Sequence, residues 1–251
     1  MPRANRCFLP GHVWHITQRC HQREFLLRFA ADRERWLHWL SQARRRFGLC
    51  VLNYIVTSNH IHLLVQDQGK GEIAASMQLI AGRTAQEYNA RKGRRGAYWE
   101  DRYHATAIDS AGYLARCITY IDMNMVRAGV VKHPRWWTAS GYREIQSSSS
   151  RSWIINRSAL VKLLGLSDFA TLQQQHKQWT EAALRSEHNE RDECWTQALA
   201  VGGHSFVSQF QTQLGMHARY QEISEVGDTF RLGEKPLPYN SNYRPKTGFE
   251  A

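Results

Sequence analysis

The sequence predicts an α+β fold, in which a ferredoxin-like split βαβ sheet carries an appended helix and is followed by a small helical C-terminal region. The first observation is that apolar residues recur at every second position in some segments, as in a strand, and about every 3.6 residues in others, as in a helix. The switches give the order strand, helix, strand, strand, helix, strand, helix. The second observation is that the segments beyond residue 150 show only the helical period. Together they predict an antiparallel-rich sheet backed by helices.

The first strand and helix have clear signals. The stretch "HVWHITQR", residues 12–19, alternates between apolar and polar residues as a strand does. The stretch "DRERWLHWLSQARRRFG" places Trp36, Leu40 and Ala43, with Phe47, on one helical face. Gly48 follows this face and predicts the end of the helix.

The next elements complete the predicted sheet. "CVLNYIVTS" and "HIHLLVQ" predict two strands that meet at Ser58 and Asn59, which is typical of a hairpin. A helix is predicted at 71–93 and a strand at 103–109. The last helix of this part, 110–127, begins after an Asp-Ser capping pair and ends before Gly129.

A serine run at residues 146–153 predicts a linker or an exposed loop, because it has no apolar periodicity. We therefore predict a first domain at 1–146, a helical C-terminal region at 147–227 and an extended tail at 228–251. The tail is predicted from its three prolines.

The positive charge lies entirely in the first part of the chain. The net charge is +11, and residues 1–150 carry 22 Lys and Arg against 11 Asp and Glu, whereas residues 151–251 carry 11 of each. Such a field attracts polyanions and disfavours a small neutral substrate as the natural partner. Nucleic acid is the partner that this distribution predicts.

Nothing in the sequence predicts a membrane protein. No stretch approaches the roughly 18 apolar residues of a membrane span, and the amino terminus lacks the apolar core of a signal peptide. We expect a cytoplasmic protein that is a monomer or a homodimer.

The cysteines are scattered without a CxxC pair, which predicts free thiols rather than disulfides or a zinc site. They are Cys7, Cys20, Cys50, Cys117 and Cys194.

Two histidines interrupt the predicted central strand "HIHLLVQ". Side chains alternate across a strand, so His60 and His62 share one face while Ile61, Leu63 and Val65 face the core. Two adjacent imidazoles on an open face can chelate a divalent metal. Taken alone, the same pair is also compatible with histidines held by ordinary hydrogen bonds.

The helix at 110–127 carries two stripes. Its apolar stripe consists of Leu114, Cys117, Ile118, Ile121 and Met125, and its polar stripe consists of Arg116, Tyr120, Asn124 and Arg127. Tyr120 is therefore predicted to lie off the core, with Asn124 one turn beyond it. A phenol, a carboxamide and two arginines on one face can meet the histidine pair at a single site.

Several motifs in this order resemble the single-tyrosine HUH transposases, and especially the REP-associated tyrosine transposases of bacteria. The resemblance covers about residues 8–143. Its segments are "PGHVWHITQR", "YIVTSNHIHLLV", "MQLIAGRTAQEYNARKG", "YWEDRYHATAI", "YLARCITYIDMNMVRAGVV" and "SGYRE". The chain differs from the usual family pattern at one point, since Asn124 is followed by Met125 and not by proline.

The resemblance implies a role for each of these groups. His60 and His62, with Asn124, would bind a divalent metal, Mg²⁺ or Mn²⁺, and Tyr120 would be the nucleophile. The implied activity is cleavage and transfer of one DNA strand through a 5′-phosphotyrosine intermediate. The implied substrate is a palindromic DNA hairpin with a short single-stranded guide sequence at its foot. Tyr113 and Tyr103 are the rival nucleophiles.

DNA binding needs further groups, and the run "NARKGRRGAYWEDRY" supplies four cations followed by Tyr98, Trp99 and Tyr103. Cations follow phosphates and aromatic rings stack on unpaired bases, so this composition is typical of a single-strand binder. The alternative interpretation is a basic helix end and loop followed by aromatic residues of the core, Trp99 among them. The full predicted DNA-binding set is Arg83, Arg91, Lys92, Arg94, Arg95, Arg102, Arg116 and Arg127.

The competing hypothesis for the function of the whole chain is a domesticated, non-catalytic protein that binds DNA hairpins without cutting them.

Overall fold

The computed structural model of the chain describes residues 9–109, 112–148, 154–186 and 192–234. Seven strands lie in these ranges. They are β1 Val13–Arg19, β2 Cys50–Val56, β3 His60–Gln66, β4 His104–Ile108, β5 Ala200–Gly202, β6 Gln221–Val226 and β7 Thr229–Glu234. All seven join one sheet with the order β2-β3-β1-β4-β5-β7-β6.

The helices of the described residues surround this sheet. They are α1 Ala30–Phe47, α2 Glu72–Lys92, α3 Gly112–Asp122, α4 Asn124–Arg127, α5 Tyr142–Ile145, α6 Arg157–Leu163, α7 Phe169–Arg185, α8 Cys194–Gln197 and α9 His204–Leu214. Short 3-10 turns lie at His21–Arg23, Pro134–Trp136 and Gly215–Ala218. None of these helices is both long and apolar enough to cross a membrane.

The first four strands confirm the predicted split βαβ sheet. β3 lies between β2 and β1, and β4 adds to the other edge of β1, with every neighbouring pair antiparallel. In this register Thr17 of β1 lies opposite His62 of β3, and Ile55 of β2 lies on its other side. The predicted hairpin between β2 and β3 is therefore confirmed, and it places the histidine motif on an inner strand.

The predicted helical faces supply the core. Trp36, Leu40 and Ala43 of α1 are fully buried. Gly48 ends α1 in the left-handed region at φ 73°, which a residue without Cβ adopts readily. The apolar stripe of the helix that follows β4 is also buried throughout, as predicted; its members are Leu114, Cys117, Ile118, Ile121 and Met125.

The helix predicted at 110–127 is not continuous. It breaks at Met123, where ψ is −3°, and separates α3 from the single turn α4. The break follows directly after Asp122, whose carboxylate is buried and bound by His176 and Asn53. Of the predicted capping pair, Ser110 lies outside the described residues, and the Asp109 carboxylate accepts the N–H of Gly203 at 3.1 Å.

The C-terminal part contains the predicted helices, and it also contains three strands that the periodicity did not predict. β5 pairs in parallel with β4, with Ala107 opposite Ala200. β6 and β7 form a hairpin across Gly227 and Asp228. Gly-Asp is a two-residue turn signal, so this hairpin was readable in the sequence, whereas three residues of β5 are too few to show a period.

The sheet crosses the predicted boundary at residue 146, and the division into domains stays a prediction. Most of the serine run, at 149–153, lies outside the described residues, as does the tail from 235 onwards. Within the predicted tail, residues 229–234 form β7. Cys20, Cys50, Cys117 and Cys194 are buried free thiols, as predicted, and Cys7 lies outside the described residues.

Candidate active site

His60 and His62 lie side by side at the start of β3, with their ring centroids 5.0 Å apart. His60 is partly exposed, but His62 is 2% exposed. The prediction that both histidines lie on an open face is thus wrong for His62. The face is covered there because α3 and α8 pack over it and place Tyr120 and Trp195 beside the strand.

His62 takes part in a chain of hydrogen bonds that crosses the site. Its Nδ1 lies 2.9 Å from Nε2 of His15 on β1, and the Nδ1 of His15 lies 2.7 Å from the carbonyl oxygen of Trp195. Its other nitrogen, Nε2, accepts from the side-chain N–H of Asn124 at 2.9 Å. The two imidazoles of His15 and His62 are nearly parallel, with an interplanar angle of 12°.

These contacts determine the position of each proton. A carbonyl oxygen only accepts, so Nδ1 of His15 must donate to Trp195. Burial lowers the pKa of His15 to about 3, although the bond to Trp195 opposes this, so the ring is neutral near pH 7 and its Nε2 accepts. His62 must then donate from Nδ1. Its Nε2 therefore carries the lone pair that a metal requires.

His60 is oriented in the same way by its neighbours on the hairpin connection. Its Nδ1 lies 2.7 Å from the Asn59 side-chain oxygen and 3.0 Å from the Thr57 hydroxyl. The Thr57 hydroxyl donates to the His60 carbonyl, so it accepts from the ring. His60 therefore also donates from Nδ1 and keeps its lone pair on Nε2.

Tyr120 lies on α3 beside both histidines. Its ring is edge-on to His62 at 5.9 Å and to His15 at 6.1 Å, and it lies 6.0 Å from the ring of Trp195. The guanidinium of Arg127 lies 4.2 Å from the ring centroid and donates to the Tyr120 carbonyl. Tyr120 is 7% exposed. The prediction that it lies off the core is wrong, because Trp195 and Arg127 cover a ring that the helix alone would leave exposed.

The two rival tyrosines lie in other surroundings. The Tyr113 hydroxyl donates to the carbonyl of Asp228 at 3.2 Å, under the guanidinium of Arg116. Tyr103 is 9% exposed and precedes β4. The structure thus brings His60, His62, Tyr120 and Asn124 together, and their roles stay predictions.

The residues present fit a divalent metal at His60, His62 and Asn124. Both imidazoles have the tautomer that leaves a lone pair on Nε2. If the Asn124 amide turned over, its oxygen would replace the N–H that now donates to His62 and would complete a set of nitrogen and oxygen ligands that suits Mn²⁺ and tolerates Mg²⁺. Within the described ranges no group of three or more His, Cys, Asp or Glu side chains could hold a metal instead.

Four predicted DNA-binding arginines already have partners in the protein. Arg91 pairs with the buried Asp32, Arg94 with Glu24 at 3.4 Å, and Arg116 with Asp228 at 3.0 Å. Arg127 covers Tyr120. Their charges are therefore partly offset before any DNA arrives. Of the other predicted cations, Arg83 lies over Trp39, Lys92 lies over Phe29, and Arg95 and Arg102 are exposed.

The aromatic residues predicted to stack on bases are largely buried. Tyr98 is 2% exposed, and its hydroxyl donates to the carbonyl of Leu26. Trp99 is partly buried and donates to the carbonyl of Ala81. Tyr103 is also buried. Tyr98 and Tyr103 are therefore core residues, which the alternative interpretation predicted, and Trp99 is half-buried.

The sequence predicted His15 only as a structural or supporting residue on the first strand, and it indicated no role in the site for Asn59 or Trp195. His15 shares the alternation of β1, but only the register with β3 shows that it faces the same side as His62. Asn59 appeared only as a turn residue. Trp195 had no local signal at all, since it lies 180 residues from the histidine that it binds.

Residues 10–124 match the family model described as "Transposase IS200 like". The predicted resemblance is confirmed. The match covers the part of the chain that holds His60, His62 and Tyr120, and it ends at Asn124. It indicates a DNA-processing transposase. No curated protein was found to match the chain.

Two solved structures match parts of the chain. The structure of a REP-associated tyrosine transposase bound to a REP hairpin has a TM-score of 0.50 and 18% identity, over 61% of this chain and 90% of the other. A candidate transposase from Deinococcus radiodurans R1 has a TM-score of 0.33 and 15% identity, over 40% of this chain and 82% of the other. At 18% identity the first match shows a similar fold and nothing further. The second match is too weak to support a conclusion.

Proposed function

We propose that this transposase-like chain cuts and rejoins one strand of DNA, with Tyr120 as the nucleophile and with Mg²⁺ or Mn²⁺ at His60, His62 and Asn124. The observation that supports this most directly is the position of the Tyr120 ring, 5.9 Å from the ring of His62 and 4.2 Å from the guanidinium of Arg127. A nucleophile, a cation and a metal-binding pair thus share one site.

The proposed reaction is an exchange of phosphate esters. The Tyr120 oxygen forms a bond to the scissile phosphorus while the bond from phosphorus to the 3′ oxygen breaks, and the phenolic proton ends on the departing 3′-OH. No water is consumed, so the reverse attack by a 3′-OH restores the strand. A bound metal would polarise a nonbridging phosphate oxygen and offset charge in the transition state. The guanidinium of Arg127 would offset part of the negative charge that develops during the transfer.

His15 acts in this proposal as a positioning residue. Its Nε2 accepts a hydrogen bond from Nδ1 of His62. This keeps the lone pair of His62 on Nε2, where the metal would bind. The bond from His15 to the Trp195 carbonyl holds His15 in turn. The C-terminal part of the chain therefore contributes to the site through its backbone.

The substrate that we propose is a DNA hairpin with unpaired nucleotides at its foot, cut in the cytoplasm. The relative solved with a REP hairpin supports this choice, as does the excess of positive charge in residues 1–150. The hypothesis of a non-catalytic hairpin binder makes the opposite prediction for covalent chemistry, so one experiment separates the two.

The test is to trap the covalent intermediate. The full chain is incubated with Mn²⁺ and a set of labelled palindromic hairpins that carry single-stranded extensions, and adducts are resolved on a denaturing gel. Wild type should form an adduct that Tyr120→Phe abolishes while hairpin binding stays nearly intact. Tyr113→Phe is the matched control and should keep the adduct. An adduct that persists in Tyr120→Phe would move the nucleophile elsewhere, and hairpin binding without any adduct would favour the non-catalytic binder.

A further inference from the structure

The loop between β1 and α1, residues 21–29, has an unusual backbone; we refer to it as the aromatic loop. Gln22 and Arg23 have φ values of 51° and 60°, and they are the only non-glycine residues with positive φ in the part of the chain that the structure describes. Such conformations are costly for residues with a Cβ and persist where the surroundings hold them, often at functional sites.

Hydrogen bonds attach the aromatic loop to the candidate site. The Asn59 amide donates to the carbonyl of Arg23 at 3.2 Å, and its oxygen accepts from His60 at 2.7 Å. The N–H of Leu27 donates to the carbonyl of Ser58 at 2.9 Å. The left-handed turn therefore aims a carbonyl at the same asparagine that orients a proposed metal ligand. The loop lies directly beside the site.

Two aromatic rings of this loop face solvent. Phe25 is 65% exposed and Phe29 is 58% exposed, in contrast to the buried tyrosines that follow α2. Large apolar side chains this exposed are informative when they cluster. Both rings are held on a short, hydrogen-bonded segment, so binding a partner would cost them little conformational freedom.

Two cations lie beside the Phe29 ring, and further charged residues lie close to the loop. The guanidinium of Arg28 lies 5.8 Å from the Phe29 ring centroid, and the ammonium of Lys92 lies 5.7 Å from it. Arg94 pairs with Glu24 of the loop, which brings the basic end of α2 against the loop. The exposed Arg23 adds a further positive charge. The surface thus combines two exposed aromatic rings with an excess of positive charge.

We propose that Phe25 and Phe29 stack on unpaired bases of single-stranded DNA next to the scissile phosphate, while Arg23, Arg28 and Lys92 contact its backbone. This proposal rests on the proposed function, because it places the strand beside the proposed metal ligand His60, to which Asn59 connects the loop. Exposed aromatic rings among cations are the recurring means of holding single strands, whose bases have open π-faces. The bases of a duplex already stack on each other, so a blunt hairpin offers these rings no comparable contact.

The experiment compares two probes on the full chain. One is a fluorescein-labelled oligothymidylate and the other is a labelled blunt hairpin, each titrated at fixed salt. Phe25→Ala and Phe29→Ala should each weaken oligothymidylate binding by roughly 5- to 150-fold, the range expected when one stacked base is no longer supported. Blunt-hairpin binding should change little. Phe25→Leu and Phe29→Leu keep an apolar side chain without a flat ring and should weaken binding almost as much.

Tyr220→Ala is the matched control. Tyr220 is 72% exposed and also lies beside an arginine, Arg219, but it precedes β6 at the other edge of the sheet. It should leave both affinities unchanged. Equal weakening by this variant would mean that any exposed aromatic residue contributes, and the proposal would be wrong.

Other outcomes separate this proposal from the proposed function. If the phenylalanine variants bind oligothymidylate as tightly as wild type while wild type forms the Tyr120 adduct, stacking by the loop is excluded and the proposed function stands. If wild type forms no adduct but the variants lose oligothymidylate binding selectively, the loop binds single strands and the cleavage proposal fails. A loss of self-association in sedimentation, without a change in DNA binding, would identify a protein interface and overturn the proposal.

Discussion

Nε2 of His15 lies 2.9 Å from Nδ1 of His62, and both imidazoles are buried. On its other side, His15 donates to the carbonyl of Trp195 at 2.7 Å. A backbone group in the C-terminal part of the chain therefore determines which nitrogen of His62 carries the proton. Because only the unprotonated nitrogen can bind a metal, the arrangement links the C-terminal part to the proposed metal site.

His15→Leu should weaken metal binding without removing a ligand. The variant leaves Nδ1 of His62 without its acceptor, so we expect Mn²⁺ affinity to fall by about 10- to 100-fold, as measured by calorimetry. ¹⁵N NMR of the metal-free protein should show that His62 no longer holds a single tautomer. His15→Gln keeps an acceptor at this position and should recover part of the affinity. The control is His38→Leu on the exposed side of α1. If wild type and the three variants bind Mn²⁺ with equal affinity, His15 does not support the metal site.

The proposed metal ligands should differ in importance. His60→Ala or His62→Ala removes an imidazole nitrogen, so cleavage should fall by orders of magnitude, and EDTA should have the same effect. Asn124→Ala should be milder, because water can replace an amide oxygen as a ligand. The measurement is the rate of adduct formation with added Mn²⁺ or Mg²⁺. Undiminished cleavage in EDTA would exclude a metal from the reaction.

The buried pair Asp122 and His176 should stabilise the helix that carries Tyr120. Their side chains are 2.6 Å apart and fully buried, and they join α3 to α7. Asp122→Ala leaves Nε2 of His176 without its acceptor, although Gln146 still binds Nδ1, and should lower the free energy of unfolding by about 1–3 kcal/mol. Urea denaturation measures this change, and the double variant with His176→Ala should cost less than the sum of the two.

A surface pair on α7 provides the control for that prediction. Lys177 and Glu181 lie 3.8 Å apart, with 65% and 47% of their side chains exposed. Lys177→Ala should change stability by less than about 1 kcal/mol, because exposed ion pairs contribute little. If Asp122→Ala were as mild as Lys177→Ala, the buried pair would not hold α3 in place.

The basic end of α2 should dominate the salt dependence of DNA binding. Removing one phosphate interaction with a single strand should lower the magnitude of the log–log slope by about 0.7. Replacing Lys92 or Arg95 by glutamine should therefore flatten the slope. Arg91→Gln should change it less, because this guanidinium already pairs with the buried Asp32. Lys177→Gln on α7 is the control, and a slope that responds equally to Lys177→Gln would place the electrostatic interactions outside the first part of the chain.

Local patterns in the sequence were enough to predict the features that depend on neighbours along the chain. Alternation predicted β1 to β4, the stripe on α3 predicted its buried face, and the spacing of His60 and His62 predicted that they share one face of β3. Such periodicities arise from backbone geometry and are visible within a dozen residues. The family resemblance then followed from several local motifs in order.

What covers that face of β3 depends on tertiary packing. The contact between His15 and Trp195 joins residues 180 positions apart, and β5 pairs with β4, which precedes it by more than 90 residues. No local pattern encodes such pairings, because they depend on where distant segments pack. For the same reason Tyr120 is buried although the sequence predicted that it lies off the core, and two exposed aromatic rings, Phe25 and Phe29, lie in a loop whose sequence has no period.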